Sequence, residues 1–131
     1  MRNALLGMLV LLTVACGAYH FPGDGQPGTG TVSGKVVAVP CAPVEQAGSP
    51  CTGRPASNLQ LDFTAGGKTV SAVTDSNGAY SIELPAGTYK VTVKAPMRII
   101  DGPASMQVQA GATVVANFVL DSGIRVPVPQ Q

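Results

Sequence analysis

Residues 74–93 are TDSNGAYSIELPAGTYKVTV, and their pattern decides the fold class. Two runs, 80–84 and 89–93, alternate apolar and polar side chains. Because successive side chains of a β-strand point to opposite sides of a sheet, this alternation predicts two strands, each buried on one side only. Turn-forming residues stand before each run, DSNG at 75–78 and PAG at 85–87. We predict that Asp75 caps the first turn and that Asn77 and Gly78 accept left-handed backbone angles.

The same alternation continues on both sides of this stretch. Leu59, Leu61 and Phe63 are predicted to point inward, and Gly66-Gly67 is a hairpin signal. No helical periodicity appears beyond residue 16. With the two strands above, we predict seven strands, the other five at 31–39, 59–65, 68–74, 105–109 and 113–120, and loops at 40–58 and 96–103. Short strands at this spacing, with 16 Gly and 11 Pro in 131 residues, are typical of a single β-sandwich domain.

Three segments resemble a known family: GKV at 34–36, TDSNGAY at 74–80 and LPAGTYKVTV at 84–93. They are similar to the carboxypeptidase regulatory-like domain. The resemblance covers about residues 31–121 and implies an all-β, prealbumin-like antiparallel sandwich. It specifies the fold and not the activity. We place the domain at 31–126 and predict a disordered tail at 127–131.

The first fifteen residues have the features of a secretion signal. Arg2 precedes an apolar run at 4–15, which is too short to span a bilayer core of about 30 Å. The run ends Ala15-Cys16-Gly17, which resembles the lipobox of bacterial lipoproteins, although Thr13 replaces the usual Leu. The resemblance implies that Cys16 is lipidated and that residues 16–30 are a flexible tether. The predicted location is therefore extracytoplasmic and membrane-anchored; the alternative is a soluble secreted protein in which Cys16 is incidental.

The other two cysteines, Cys41 and Cys51, flank a loop rich in Pro, Ala and Gly. In an oxidising compartment we expect them to form a disulfide. Metal binding is the alternative, but a second cysteine pair or a nearby histidine is missing from the sequence.

Charge and histidine content argue against several functions. Without Arg2 the chain has seven basic and seven acidic residues, so no basic stripe is available for nucleic acid. The single histidine, His20, falls in the predicted tether, and no GxSxG motif occurs. Asp75 and Asn77 are too few oxygens for a calcium loop. We therefore predict no enzyme activity, no metal and no cofactor.

Related collagen-adhesin domains form a covalent cross-link between two side chains. There a Lys and an Asn join as an isopeptide beside a buried carboxylate. Lys35 and Asn117 stand at plausible places, but no acid precedes Ala95-Pro96. We therefore predict that this bond is absent.

The predicted function is a non-enzymatic, lipid-anchored module for structural support or protein interaction at the cell surface. Because loops on a rigid scaffold commonly carry contacts, the loops at 40–58 and 96–103 are the predicted working surface, with Arg54, Arg98 and Ile99 as candidate residues. The alternative is a module that binds cell-wall glycans. Sugars usually stack on exposed aromatic rings, whereas the aromatic side chains of the domain fall on inward positions: Phe63, Tyr80, Tyr89 and Phe118.

Overall fold

The computed structural model describes residues 27–44, 47–48, 51–94 and 96–124. These residues form ten β-strands and no helix, and they contain no segment that could cross a membrane as a helix. The strands are β1 (Thr29–Val39), β2 (Arg54–Pro55), β3 (Gln60–Ala65), β4 (Lys68–Val73), β5 (Ala79–Pro85), β6 (Gly87–Val93), β7 (Arg98–Asp101), β8 (Ser105–Val108), β9 (Thr113–Val115) and β10 (Phe118–Asp121). The predicted all-β sandwich is confirmed.

The long strand β1 organises one of the two sheets. Its first part pairs with β5 antiparallel and with β9 parallel. Its last part, Val36–Val39, pairs with β10 parallel and with β2 antiparallel, and β7 is added on the outer side of β10. Strand β1 therefore has β5 and β9 as neighbours in its first part, and β10 and β2 as neighbours in its last part.

The second sheet has four strands in the order β4-β3-β6-β8, all antiparallel. Strands β3 and β4 form the predicted hairpin. Gly66 and Gly67 both have positive φ, 54° and 77°, the conformation that a two-residue hairpin turn requires. The turn thus fixes a register in which Ala65 pairs with Lys68.

The core lies between the inner sides of these sheets. Leu61 and Phe63 from the four-stranded sheet face Val32, Val36 and other fully buried side chains of the first sheet. Three aromatic rings connect the layers: the centroid of Tyr80 lies 6.0 Å from that of Phe63 and 6.3 Å from that of Phe118. Leu84, Tyr89 and Val91 are also buried, so the period-two prediction for residues 80–93 is confirmed.

The two strands of the opening stretch belong to different sheets. β5 pairs with β1, whereas β6 pairs with β3 and β8, so the chain crosses between the layers at Ala86. The Tyr89 hydroxyl donates a hydrogen bond to the Pro85 carbonyl oxygen at 2.8 Å and thereby closes this corner. Similar tyrosine corners occur in other β-sandwiches.

The turn before β5 has the predicted cap. Asp75 Oδ1 accepts hydrogen bonds from the amides of Asn77 at 2.8 Å and Ala79 at 2.9 Å. Gly78 has φ 71°, as predicted, and a Cβ there would strike the Val36 carbonyl oxygen. Asn77 does not share this conformation, because Asn58 (φ 55°) is the only non-glycine residue of the described part with positive φ. The prediction for Asn77 was wrong because the Asp75 carboxylate holds its amide.

Three boundaries differ from the prediction. The segment 96–103 is not only a loop, because it contains β7, and the loop 40–58 contains the short strand β2. The predicted closing strand 113–120 is interrupted at Ala116 and Asn117 and becomes β9 and β10. These strands form through pairing with distant parts of the chain, which local alternation does not reveal.

The interruption has a clear physical cause. A Cβ on Gly34 would strike the Ala116 carbonyl oxygen, so the two backbones approach more closely than any other residue would permit. Asn117 Oδ1 then accepts a hydrogen bond from the Lys35 amide at 2.8 Å, in the place of a backbone carbonyl. Lys35 and Asn117 are thus neighbours, as their positions suggested, but the contact uses the main chain of Lys35.

Candidate functional site

The two predicted loops lie at the same end of the sandwich, which we call the distal end. The described chain begins at Pro27 and β1 leads from Thr29 to Val39. Eleven extended residues span about 36 Å. The full length of the sheet therefore separates the N-terminal end of the domain from two segments, the one that follows β1 and the one that precedes β7.

The disulfide predicted between Cys41 and Cys51 is present, with a Cα–Cα distance of 5.7 Å. The C-terminal part of its loop is held against the sheet. A Cβ on Gly53 would lie 2.7 Å from the Val37 side chain, and the Gly53 amide donates a hydrogen bond to Cys51 Sγ at 3.2 Å. The loop therefore covers the outer side of β1 near its end.

Arg54 follows directly and opens β2 at the edge of the sheet, where it is exposed. It lines a pocket of about 220 Å³ together with residues from both predicted loops. The other lining residues are Ala38, Pro55, Ala56, Ser57, Leu59 and Met97. The structure thus brings the loop 40–58 and the beginning of the segment 96–103 together.

Thr74, a buried polar residue, holds the backbone of two residues that line this pocket, Ala56 and Leu59. Its hydroxyl donates a hydrogen bond to the Ala56 carbonyl oxygen at 2.5 Å and accepts one from the Leu59 amide at 2.9 Å. Backbone hydrogen bonds join Thr74 to Asn58 and Leu59 as well. The sequence did not predict a role for Thr74. The only sign of one is that a β-branched polar residue stands at the end of a strand.

The second arginine lies on the opposite edge of the same sheet. The guanidinium of Arg98 is 3.6 Å from the Asp121 carboxylate, and the Arg98 side chain is 77% exposed. The Asp121 side chain is only 14% exposed, so the pair is open to solvent on the arginine side, and Arg98 is accessible to a partner. Ile99 is half-buried and packs against the core, while its neighbour Ile100 is 50% exposed. Ile100 therefore presents more apolar surface than the predicted Ile99.

Register relates the two edges. Arg54 pairs with Ala38, Ala38 with Leu120, and Leu120 with Ile99. Three strand spacings separate the ends of this row, or about 14 Å. Arg54 and Arg98 are thus at the same level of the sandwich, on opposite edges of the sheet, and they do not contact one another.

Four carboxylates of the described residues are engaged in structural contacts: those of Asp62, Asp75, Asp101 and Asp121. Ser71 and Gln60 donate hydrogen bonds to Asp62 Oδ1 at 2.6 and 2.8 Å. These bonds, with a smaller contribution from the charge of Lys94, lower the pKa of Asp62 against the opposing effect of desolvation. Asp101 accepts a hydrogen bond from the Gly102 amide. Within the described ranges, no three His, Cys, Asp or Glu side chains lie close enough together to hold a metal ion.

The aromatic side chains of the sandwich are buried. Tyr80, Tyr89, Phe63 and Phe118 are each at most 5% exposed. The Tyr80 hydroxyl donates a hydrogen bond to the Ala116 carbonyl oxygen at 2.6 Å, and burial raises the pKa of Tyr80 to about 12. These rings serve the core and offer no stacking surface to a sugar.

A larger cleft, of about 470 Å³, lies at the proximal end, where the described chain begins. One wall is the β3–β4 hairpin with Ala65, Lys68 and Val70, and the other is the β5–β6 corner with Ala86 and Tyr89. Pro27 and Thr29 also line it. Sequence reasoning did not predict this cleft, because its two walls are distant in the chain.

Several predictions fall outside the described residues. These are the signal at 1–15, the lipidation of Cys16, most of the tether at 16–30 and the tail at 127–131. They remain predictions, as does the working role of Arg54, Arg98 and Ile99.

The fold and the distal surface define a small disulfide-containing β-sandwich module. Residues 31–121 match the sequence profile of the carboxypeptidase regulatory-like domain. The chain belongs to that family, as the resemblance of its motifs indicated. No curated protein matches the chain by sequence.

Three solved structures are similar to part of this chain at low sequence identity. The Bacillus anthracis TIE protein has a TM-score of 0.50 and 12% identity, over 72% of this chain and 16% of that protein. A minor pilin from Streptococcus agalactiae has a TM-score of 0.49 and 17% identity, over 79% and 48% of the two chains. A DUF3823 family protein from Parabacteroides merdae has a TM-score of 0.46 and 16% identity, over 72% and 46%. The aligned part is less than half of each of these chains, and the similarity to the TIE protein concerns the fold alone.

Proposed function

We propose that this chain is a non-enzymatic, lipid-anchored extracytoplasmic module that binds a protein partner through its distal end. The supporting observation is the pocket at which Arg54 and Met97 meet, because it joins the two loops that the sequence singled out. The disulfide and the Thr74 hydrogen bonds hold residues 51–58, the C-terminal part of the first loop, in place before any partner arrives. Such preorganisation reduces the entropy lost on binding.

The charge of this surface favours a partner with carboxylates. Arg54 is exposed, and Arg98 is exposed although it faces Asp121. Arginine is enriched at the energetic centres of protein interfaces, because its planar guanidinium binds carboxylates with two parallel hydrogen bonds. Exposed Ile100 lies two residues after Arg98 in β7 and adds apolar surface beside it. The proposed partner is therefore a protein with an acidic patch.

The geometry supports an anchored arrangement. If Cys16 carries lipid, the membrane lies on the proximal side, and the sandwich holds Arg54 and Arg98 away from it. The Cys41–Cys51 disulfide fits an extracytoplasmic compartment, where disulfides persist. Cys16→Ser tests the anchor: the variant should leave the membrane fraction, and a variant that stays there in the same amount would contradict lipid anchoring.

Site-specific photo-crosslinking in intact cells tests the working surface. A photoreactive side chain at Ser57, an exposed residue that lines the same pocket as Arg54, should capture a discrete partner. The same group at Gln107, an exposed residue of β8 in the other sheet, should not. The captured protein must also be lost when Arg98→Glu is added to the first variant. Equal capture from both positions would contradict a distal working surface.

Glycan binding is the second candidate, and no observation on the described residues favours it over a protein partner. The buried rings of Phe63, Tyr80, Tyr89 and Phe118 leave no aromatic platform there. A pull-down with purified cell-wall polymers separates the two functions. Retention of the chain on such polymers, unaffected by Arg54→Glu, would favour the glycan function.

A further inference from the structure

We propose that residues 19–24 of this chain fold back into the proximal cleft and fix the domain to its own N-terminal segment. This inference concerns the opposite end of the sandwich from the proposed partner surface and does not depend on it. In this proposal residues 19–24 are ordered against the domain and do not belong to the flexible tether that the sequence predicts.

The cleft has the size and lining of a binding site. Its volume of about 470 Å³ lies within the usual range for pockets that hold small ligands or a few side chains. The lining is mostly apolar, with Val70, Ala86 and Tyr89 among its residues. Val70 occupies an inward position opposite Phe63 yet is 38% exposed, because the cleft opens beside it. An apolar occupant would remove this surface from water.

The position of the chain identifies the occupant. Pro27, the first described residue, itself lines the cleft, so the preceding residues emerge at its edge. Tyr19, His20 and Phe21 are the only bulky residues between Cys16 and Pro27. Five residues lie between Phe21 and Pro27, and the six steps from one to the other reach at most about 20 Å when extended, enough to turn back into the cleft. Glycines and prolines at 22–28 permit that turn.

Charge complementarity selects the same segment. Among the described residues that line the cleft, Lys68 is the only charged one. Asp24 is the only acidic residue of the segment before Pro27. In the proposed arrangement the aromatic rings of Tyr19 and Phe21 fill the apolar part of the cleft, and the Asp24 carboxylate lies near the Lys68 ammonium. The second of these contacts is exposed and contributes less than the first.

Nuclear magnetic resonance on the full chain, labelled with ¹³C and ¹⁵N, tests the proposal. We expect contacts between the ring protons of Phe21 and the methyl groups of Val70 and Ala86. Order parameters for residues 19–24 should approach about 0.85, as in a rigid backbone, instead of falling below about 0.6. Low order parameters together with absent ring–methyl contacts would overturn the proposal.

Matched variants distinguish docking from a general effect on the fold. Val70→Ser should release residues 19–24 and lower their order parameters. Val73→Ser, in the same strand but outside the cleft lining, should leave them unchanged although Val73 is 57% exposed. Equal effects of the two variants would overturn the proposal. Contacts that disappear on dilution would also overturn it, because they would assign the cleft to a second copy of the chain.

Discussion

Replacing Tyr80 by phenylalanine removes one hydroxyl from the centre of the sandwich and leaves the ring between Phe63 and Phe118. The hydroxyl is the donor to the Ala116 carbonyl oxygen, at the point where β9 ends and the chain turns toward β10. The Tyr80→Phe variant therefore tests whether this hydrogen bond stabilises the interruption between the two strands.

The structure gives the magnitude at neutral pH. Tyr80 is 5% exposed and Ala116 is 2% exposed, so water cannot easily replace the lost donor. Leaving a buried acceptor without its partner costs about 1–3 kcal/mol of unfolding free energy. For a domain of this size, each kcal/mol lowers the melting temperature by about 4–8 °C.

The same residue makes a second, pH-dependent contribution. Burial raises the pKa of Tyr80 from 10.0 to about 12, so the unfolded chain loses this proton at lower pH than the folded chain. Stability from this source is complete below pH 10 and is lost as pH rises toward 12. A shift of this size corresponds to about 3 kcal/mol at most.

Urea unfolding of both proteins at pH 7 and across pH 9–12, followed by circular dichroism, measures both effects. The wild type should be the more stable protein at pH 7, and its advantage should shrink above pH 10, because only the wild type can ionise at this position. Equal stability at pH 7, or a constant difference through pH 12, would refute this account of Tyr80.

Three further substitutions test other parts of the structure. Gly34→Ala should destabilise the domain by several kcal/mol, about 3 or more, because its Cβ meets the backbone carbonyl of Ala116; near-native thermal unfolding would contradict this. The double variant Cys41→Ala and Cys51→Ala should have a free energy of unfolding about 2–3 kcal/mol lower than wild type in urea under non-reducing conditions, because the disulfide closes a loop of sequence separation 10. A reducing agent should abolish this difference. Asp62→Asn should lower the free energy of unfolding above about pH 4 and should have less effect as pH falls. The reason is that the carboxyl group, whose pKa is lowered in the folded state, stabilises the fold only where it is ionised. A difference that does not depend on pH would exclude this cause.

Local patterns in the sequence were sufficient where the structure is locally determined. The Gly66-Gly67 hairpin follows from two positive φ angles, and the cap by Asp75 follows from short-range hydrogen bonds. The burial of Tyr80 and Tyr89 follows from the period of two in a strand. The disulfide followed from the number of cysteines and the expected compartment.

Other features depend on residues far apart in the chain. Strand β7 forms because β10 pairs with it, and its short sequence around Arg98 has little alternation. The break between β9 and β10 depends on Gly34, about eighty residues earlier in the chain. The alternation in 80–93 fixed which side chains are inward, but not that β5 and β6 join different sheets.

The candidate site was predictable only in outline. The sequence indicated both loops and the arginines at 54 and 98, because loops on a rigid scaffold often carry contacts. It did not reveal that Met97 and Arg54 line one pocket, or that Thr74 holds the backbone of Ala56, which also lines it. These relations join residues far apart in the chain, which no local pattern encodes.

Charge reversal at the distal end tests the central claim most directly. In cells that contain equal amounts of each protein, Arg54→Glu with Arg98→Glu should abolish capture of the partner. The control is Lys35→Glu with Lys90→Glu, which changes the net charge equally at exposed positions outside the distal end and should preserve capture. Thermal unfolding of both double variants should show that each remains folded at the temperature of the capture experiment. Capture that survives the arginine changes, or that falls equally with the lysine changes, would contradict a partner surface at the distal end.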